Sequence, residues 1–162
     1  MRRGWWVALA LWLGAAAAAT AAGPDLQIAV TVEREVRSAT PGGQVRVVRQ
    51  PVTETRPGDV LVYTLQYHNA GDAPAVRAVI AEPVPAGTVL LRGSTVVQGG
   101  SVEFSTDGKS WSGWPRVQRA TLGGQPEEVD APPAAVRSVR FVLQDAIPVG
   151  GVGSASFKVA VQ

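Results

Sequence analysis

Pro57-Gly58-Asp59-Val60-Leu61-Val62-Tyr63-Thr64-Leu65-Gln66-Tyr67-His68-Asn69-Ala70-Gly71-Asp72 is the stretch that decides the fold class. Pro57-Gly58-Asp59 reads as a turn. After it, Leu61, Tyr63, Leu65 and Tyr67 fall on one face, and Val62, Thr64, Gln66 and His68 on the other. A period of two is that of a β-strand, because successive side chains leave a strand on opposite faces. So many large residues on one face predict a central strand whose Tyr63 and Leu65 are buried. Asn69-Ala70-Gly71-Asp72 then reads as a turn, with Gly71 expected to supply a positive φ.

The same period recurs on both sides. Leu26, Ile28, Val30 and Val32 alternate with Gln27, Ala29, Thr31 and Glu33, which predicts a half-buried strand. Ser38 to Gly43 reads as a loop. Val45 and Val47 around Arg46 pair back as a hairpin, with Pro51 ending that strand or placing it at an edge. Downstream, Val76–Ala81, Val89–Leu91, Ser94–Val97 and Val102–Ser105 are short strands, and Asp107-Gly108 is a hairpin turn. Ser112 to Pro133 reads as a long loop with one short strand near Val117. Two strands close the chain, with Val139, Phe141 and Leu143 sharing one face, and Ala155, Phe157, Val159 and Val161 another. Gly and Pro punctuate every run, and no helical period is sustained. The expected fold class is all-β, an antiparallel β-sandwich.

The N-terminus carries a different signal. Arg2 and Arg3 precede an apolar run from Trp5 to Leu13 that Ala15–Ala19 extends, and Ala19-Thr20-Ala21 offers small residues to a signal peptidase. The expected organisation is a signal peptide over 1–21 and one domain over 22–162. Cleavage after Ala22 is the neighbouring alternative, and an uncleaved membrane anchor the other reading. No later stretch resembles a membrane span. Setting Arg2 and Arg3 aside leaves 13 basic side chains against 13 acidic, so the domain is close to neutral. With no run of Lys or Arg, the electrostatic footprint of a nucleic-acid binder is absent. The chain has no Cys and one His. Thiol catalysis, disulfides, thiolate zinc sites and His-rich metal sites are therefore excluded by composition.

The resemblance of this chain to a known family rests on several motifs. These are Pro57-Gly58-Asp59, the run from Val62 to Ala75, Glu82-Pro83-Val84-Pro85-Ala86-Gly87-Thr88, and Phe104-Ser105-Thr106-Asp107-Gly108-Lys109-Ser110-Trp111. Arg92-Gly93-Ser94, Pro148-Val149-Gly150-Gly151 and Ser156-Phe157-Lys158-Val159 extend them. Together they resemble the bacterial surface-protein module called the conserved repeat domain, or domain of unknown function eleven, over roughly residues 26–162. The resemblance implies an immunoglobulin-like sandwich in exported or cell-surface proteins, and no known enzyme activity. This chain has one copy of the module, and Glu82 where the family usually has Asp.

The candidate site residues are few. Trp111 and Trp114 lie three apart in a loop, where aromatic planes either stack on a sugar or partner or cover one end of the core. Asp59, Asp72, Glu82 and Asp107 sit in expected turns; calcium gathers such carboxylates, but turn Asp residues also cap their own backbone. Ser105 to Trp111 is similar to the Asp-box turn of sialidase-like propellers, one residue too short, and reads as a hairpin with Trp111 folded onto the sandwich. His68 faces away from Tyr67, and no nucleophile motif accompanies it, so no triad is expected. Glu127, Glu128 and Asp130 read as solvated loop carboxylates rather than a glycosidase pair. The expectation is an exported, non-enzymatic structural or protein-interaction module of the bacterial envelope or surface, periplasmic or extracellular. It needs no cofactor or metal. Its partner is an envelope or surface protein, or a glycan bound by the Trp111/Trp114 loop.

Overall fold

The computed structural model describes residues 23–39, 42–121 and 124–162. The expected signal peptide over 1–21 lies outside them. Among the described residues, eleven strands and one short 3-10 turn make up the regular structure. The strands are β1 (Leu26–Ala39), β2 (Val45–Pro51), β3 (Val60–Asn69), β4 (Val79–Pro83), β5 (Thr88–Leu90) and β6 (Val96–Val97). They continue with β7 (Gly100–Ser105), β8 (Arg116–Arg119), β9 (Glu127–Asp130), β10 (Ser138–Leu143) and β11 (Val152–Val161).

Two antiparallel sheets pack face to face, so the protein is an all-β sandwich. The larger sheet runs β2-β1-β3-β11-β5, with β6 also on β11, and the smaller runs β4-β10-β7. β3 is central, as its residues require. It pairs with β1 on one side, from Leu26↔Asn69 to Glu35↔Val60, and with β11 on the other, from Val152↔His68 to Ala160↔Val60. The Pro57-Gly58 turn that precedes it is closed by Asp59 N–H donating to Arg56 O (3.0 Å), with Gly58 at φ 89°. That is the type II geometry in which Pro suits the first central position and Gly the second.

The core lies between the sheets. Leu65, Phe157, Val159 and Leu90 from the larger sheet face Ile80, Val139, Phe141 and Leu143 from the smaller, all nearly free of solvent contact. Tyr63 is half-buried rather than buried. Its ring stacks on its cross-strand partner Phe157 (centroids 5.1 Å apart) while it borders the open side of the sandwich. Val62 is fully buried although it points away from the core. Its neighbours on that outer face are Glu33 and Lys158, and the Lys158–Glu35 ion pair spans the strand.

Several expectations of local structure need correction. Ser38 belongs to β1, which runs on to Ala39. β4 starts at Val79 because Arg77 takes a left-handed φ of 51° and breaks the run that begins at Val76. The segment from Ser112 to Pro133 holds two strands, β8 and β9, paired antiparallel from Arg116↔Asp130 to Arg119↔Glu127. Gly71 does not have a positive φ. It is small because the chain crowds it: a Cβ there would overlap Gly23 O and Asp25 N.

Candidate functional site

Asn69 organises one end of the sandwich. It ends β3 fully buried. Its Nδ2 donates to Ala73 O (2.8 Å), Ile147 O (3.0 Å) and Pro148 O (3.3 Å), and its Oδ1 accepts from Asp25 N–H and Gly71 N–H. One amide thus ties the start of β1 and two loops to β3, with its hydrogen-bonding capacity used. Asp72 Oδ1 accepts from Gly23 N–H, and Ala70 N–H donates to Asp25 O. Residues 23–25 are therefore held in line with β1, alongside residues 69–72.

The turn carboxylates serve local backbone. Asp107 accepts from Lys109 N–H and Ser110 N–H (both 2.8 Å) and from the hydroxyls of Ser105 and Ser110. These bonds favour the ionised form and hold its carboxyl well below the usual carboxylate range. Asp59 accepts from Arg56 N–H (2.9 Å) and pairs with Arg34 (3.5 Å). Glu82 is not in a turn but in β4, near Tyr63; burial raises its pKa, and burial and then the Glu82 charge raise that of Tyr63. The four carboxylates do not converge. Among the described residues no group of three or more His, Cys, Asp or Glu side chains could hold a metal ion. His68 is exposed on the outer face of β3.

The two tryptophans are separately engaged. Trp114 packs against the core edge-on to Phe104 (4.9 Å), and its Nε1–H donates to Ala131 O (3.0 Å). The guanidinium of Arg92 lies 4.4 Å from its ring centroid and pairs with Asp130 (2.8 Å). Trp111 lies under Arg140, 4.6 Å from its ring centroid, and Arg140 also pairs with Glu103. An arginine therefore lies over a face of each ring, and the cation–π contact takes a plane a sugar would use. A shallow hollow of about 370 Å³ beside them is lined by Thr106, Ser110, Trp111, Trp114, Arg116 and Glu128, among others. Glu127, Glu128 and Asp130 lie on β9 rather than in a loop, exposed and ion-paired with Arg119, Arg116 and Arg92.

The feature that sequence reasoning missed is on β1. Ile28 and Val30 lie on the core-facing side of the strand, opposite Tyr67 and Leu65 in register, yet they are 47% and 45% exposed. The smaller sheet has three strands, and its β7 edge lies beside β6. Leu26 and Val32 are partly buried against the core, so the uncovered part of this face is Ile28 and Val30. Among the described residues no strand pairs with that edge of β1 there, because β2 pairs only with Glu33 to Ala39. Among the described residues no helix is long and apolar enough to cross a membrane. No protein-family model matches this chain, and neither a curated protein nor a solved structure matches it.

Proposed function

We propose that this protein is an exported, non-enzymatic structural or protein-interaction module of the bacterial envelope or surface, of the immunoglobulin-like kind its motifs resemble. The observation that carries the reading is the combination of a tightly packed sandwich with a strand edge, Leu26–Val32, that has no neighbour among the described residues and on which Ile28 and Val30 are exposed. Contiguous exposed apolar surface on a soluble domain marks a contact site. Catalysis needs an acid, base or nucleophile brought near a second such group. Here the candidate carboxylates are dispersed: Asp59, Asp72 and Asp107 bond backbone, and Glu127, Glu128 and Asp130 pair with arginines. The test is affinity capture from envelope extract with the exported chain, tagged at its C-terminus. A defined envelope protein retained at a fixed ratio is the expected result; a chain that stays free in every fraction refutes the reading. The purified exported protein is expected to begin at Ala22, and N-terminal sequencing that finds Trp5 and Trp6 attached refutes cleavage.

The glycan reading of Trp111 and Trp114 keeps the hollow beside Trp111 in its favour. Stacking a sugar on the ring face that the arginine covers requires displacing an arginine already held by a carboxylate, Glu103 in one case and Asp130 in the other. The protein-interaction reading requires no such exchange.

A further inference from the structure

The open edge of β1 can be read group by group. Asp25 O accepts from Ala70 N–H, and Asp25 N–H donates to Asn69 Oδ1, so the backbone of Asp25 points toward the β3 side. Asn69 N–H and C=O point the other way, to Gly151 and Gly150 next to β11. In an extended antiparallel strand the N–H and C=O of one residue share an edge, and successive residues alternate. Gln27, Ala29 and Thr31 therefore bond β3, while the N–H and C=O of Leu26, Ile28 and Val30 point to the free edge. Ile28 and Val30, whose side chains are exposed, are among the residues whose backbone is left unpaired.

The other edges are blunted, as is usual in proteins that avoid chance pairing. β2 carries Arg46, Arg49 and Pro51. β5 and β6 are three and two residues long. β4 is preceded by the left-handed Arg77 and ends in Pro83. The end of β7 is bridged by Ser112 to Phe104. Leu26-Gln27-Ile28-Ala29-Val30-Thr31-Val32 has no charge, no Pro, no Gly and no bulge.

We infer that this edge accepts an extended, uncharged segment of another protein with apolar residues at every second position, added as a strand beside Leu26–Val32. The inference rests on the protein-interaction reading and names the partner's chemistry. Main-chain hydrogen bonds to Leu26, Ile28 and Val30 supply affinity, and the alternate side chains of the guest cover Ile28 and Val30. Residues 26–32 span about 23 Å at strand rise, which sets the length of the guest. A second copy of this edge does not fit in the register that would bury Ile28 against Val30. Two-fold antiparallel pairing that matches Ile28 with Val30 of the other copy sets Asp25 opposite the other copy's Glu33. Pro51 already holds that place, and Asp25 cannot swing aside because Asn69 and Ala70 bind it. The guest must instead end, or turn, before Pro51.

The experiment uses a Gly-Ser-flanked peptide with the core Val-Thr-Val-Thr-Val-Thr-Val, and a control of the same composition with its valines blocked together. Titration is followed by amide hydrogen exchange of the exported chain. Binding of the alternating peptide, at least tenfold tighter than the control, is expected, with slowed exchange at Ile28 and Val30. Ile28→Lys places a charge on the edge, and Val30→Pro removes an outward N–H without touching the β3 ladder. Each should weaken binding tenfold or more, with the two serving as checks on each other and thermal melts confirming that they fold. Equal binding of the two peptides, or binding unchanged in both variants, overturns the inference, as does dimerisation of the free chain that Ile28→Lys abolishes. An envelope partner that both variants retain as well as the parent chain overturns the edge assignment while leaving the module reading standing.

Discussion

Leu65 and Val30 are cross-strand partners on one face of one sheet, and their contrast tests where the sandwich is closed. Leu65 is fully buried and Val30 is 45% exposed. Truncating Leu65 to Ala removes buried carbons and leaves a cavity among side chains that relax only in part, at a cost of about 2–5 kcal/mol. A domain of this size has an unfolding entropy near 0.3 kcal/mol/K, so the melting temperature should fall by about 7–17 °C. Val30→Ala removes two methyl groups that are only half out of water. At about 0.8 kcal/mol per fully buried carbon, the expected loss is about 1 kcal/mol, or about 3 °C. The assay is thermal and urea unfolding of both variants and the parent chain at several protein concentrations. Equal costs for the two substitutions would refute the reasoning, because they would mean that Val30 is covered in solution. A Leu65→Ala cost near zero would mean that the strand phase is reversed.

Trp114→Ala should cost about 3 kcal/mol, since it removes a ring packed on Phe104 together with the Ala131 hydrogen bond. Trp111→Ala should cost about 1 kcal/mol, mostly the Arg140 contact; melting curves separate the two, and a cost order reversed between them contradicts the packing described. Glu82→Gln should stabilise the protein at pH 7. Burial raises the folded-state pKa of Glu82, so its ionisation opposes folding as pH rises through that value, and the advantage of Gln should vanish near pH 4, where the wild-type carboxyl is protonated in both states. Asp107→Asn should do the reverse. The folded-state pKa of Asp107 is depressed, so its contribution is present above the ordinary carboxylate range and is lost as pH falls below it; the variant should be less stable than the parent at pH 7 and approach it only in strong acid.

The strands that bear the core were legible because their signal is local. β3, β10 and β11 alternate large apolar residues with polar ones, and each buries the face that alternation selects. β8 and β9 were less visible. A two-stranded ribbon with one apolar pair, Val117↔Val129, and arginines opposite Asp130 and Glu127 reads in one dimension as a polar loop. Its signal, basic residues on one run and acidic on the next, exists only once the two runs are set side by side. Asn69 and Gly71 read in sequence as turn formers, which is what those residue types do locally. Their actual roles come from residues 23–25 lying against them, a contact more than forty positions away in sequence.

The β1 edge was hidden for a more general reason. Alternation says which side chains share a face; it does not say how far the opposite sheet extends. Leu26–Val32 has the composition of a strand with neighbours on both sides. Like β3 it is free of charged residues, whereas β2, β4, β7, β10 and β11 each carry at least one. A central strand pays for its two-sided burial with two ladders of hydrogen bonds, and β3 has both. Among the described residues Leu26–Val32 has one. A sequence suited to the middle of a sheet, placed where the chain supplies a single neighbour, is satisfied only when another strand supplies the second.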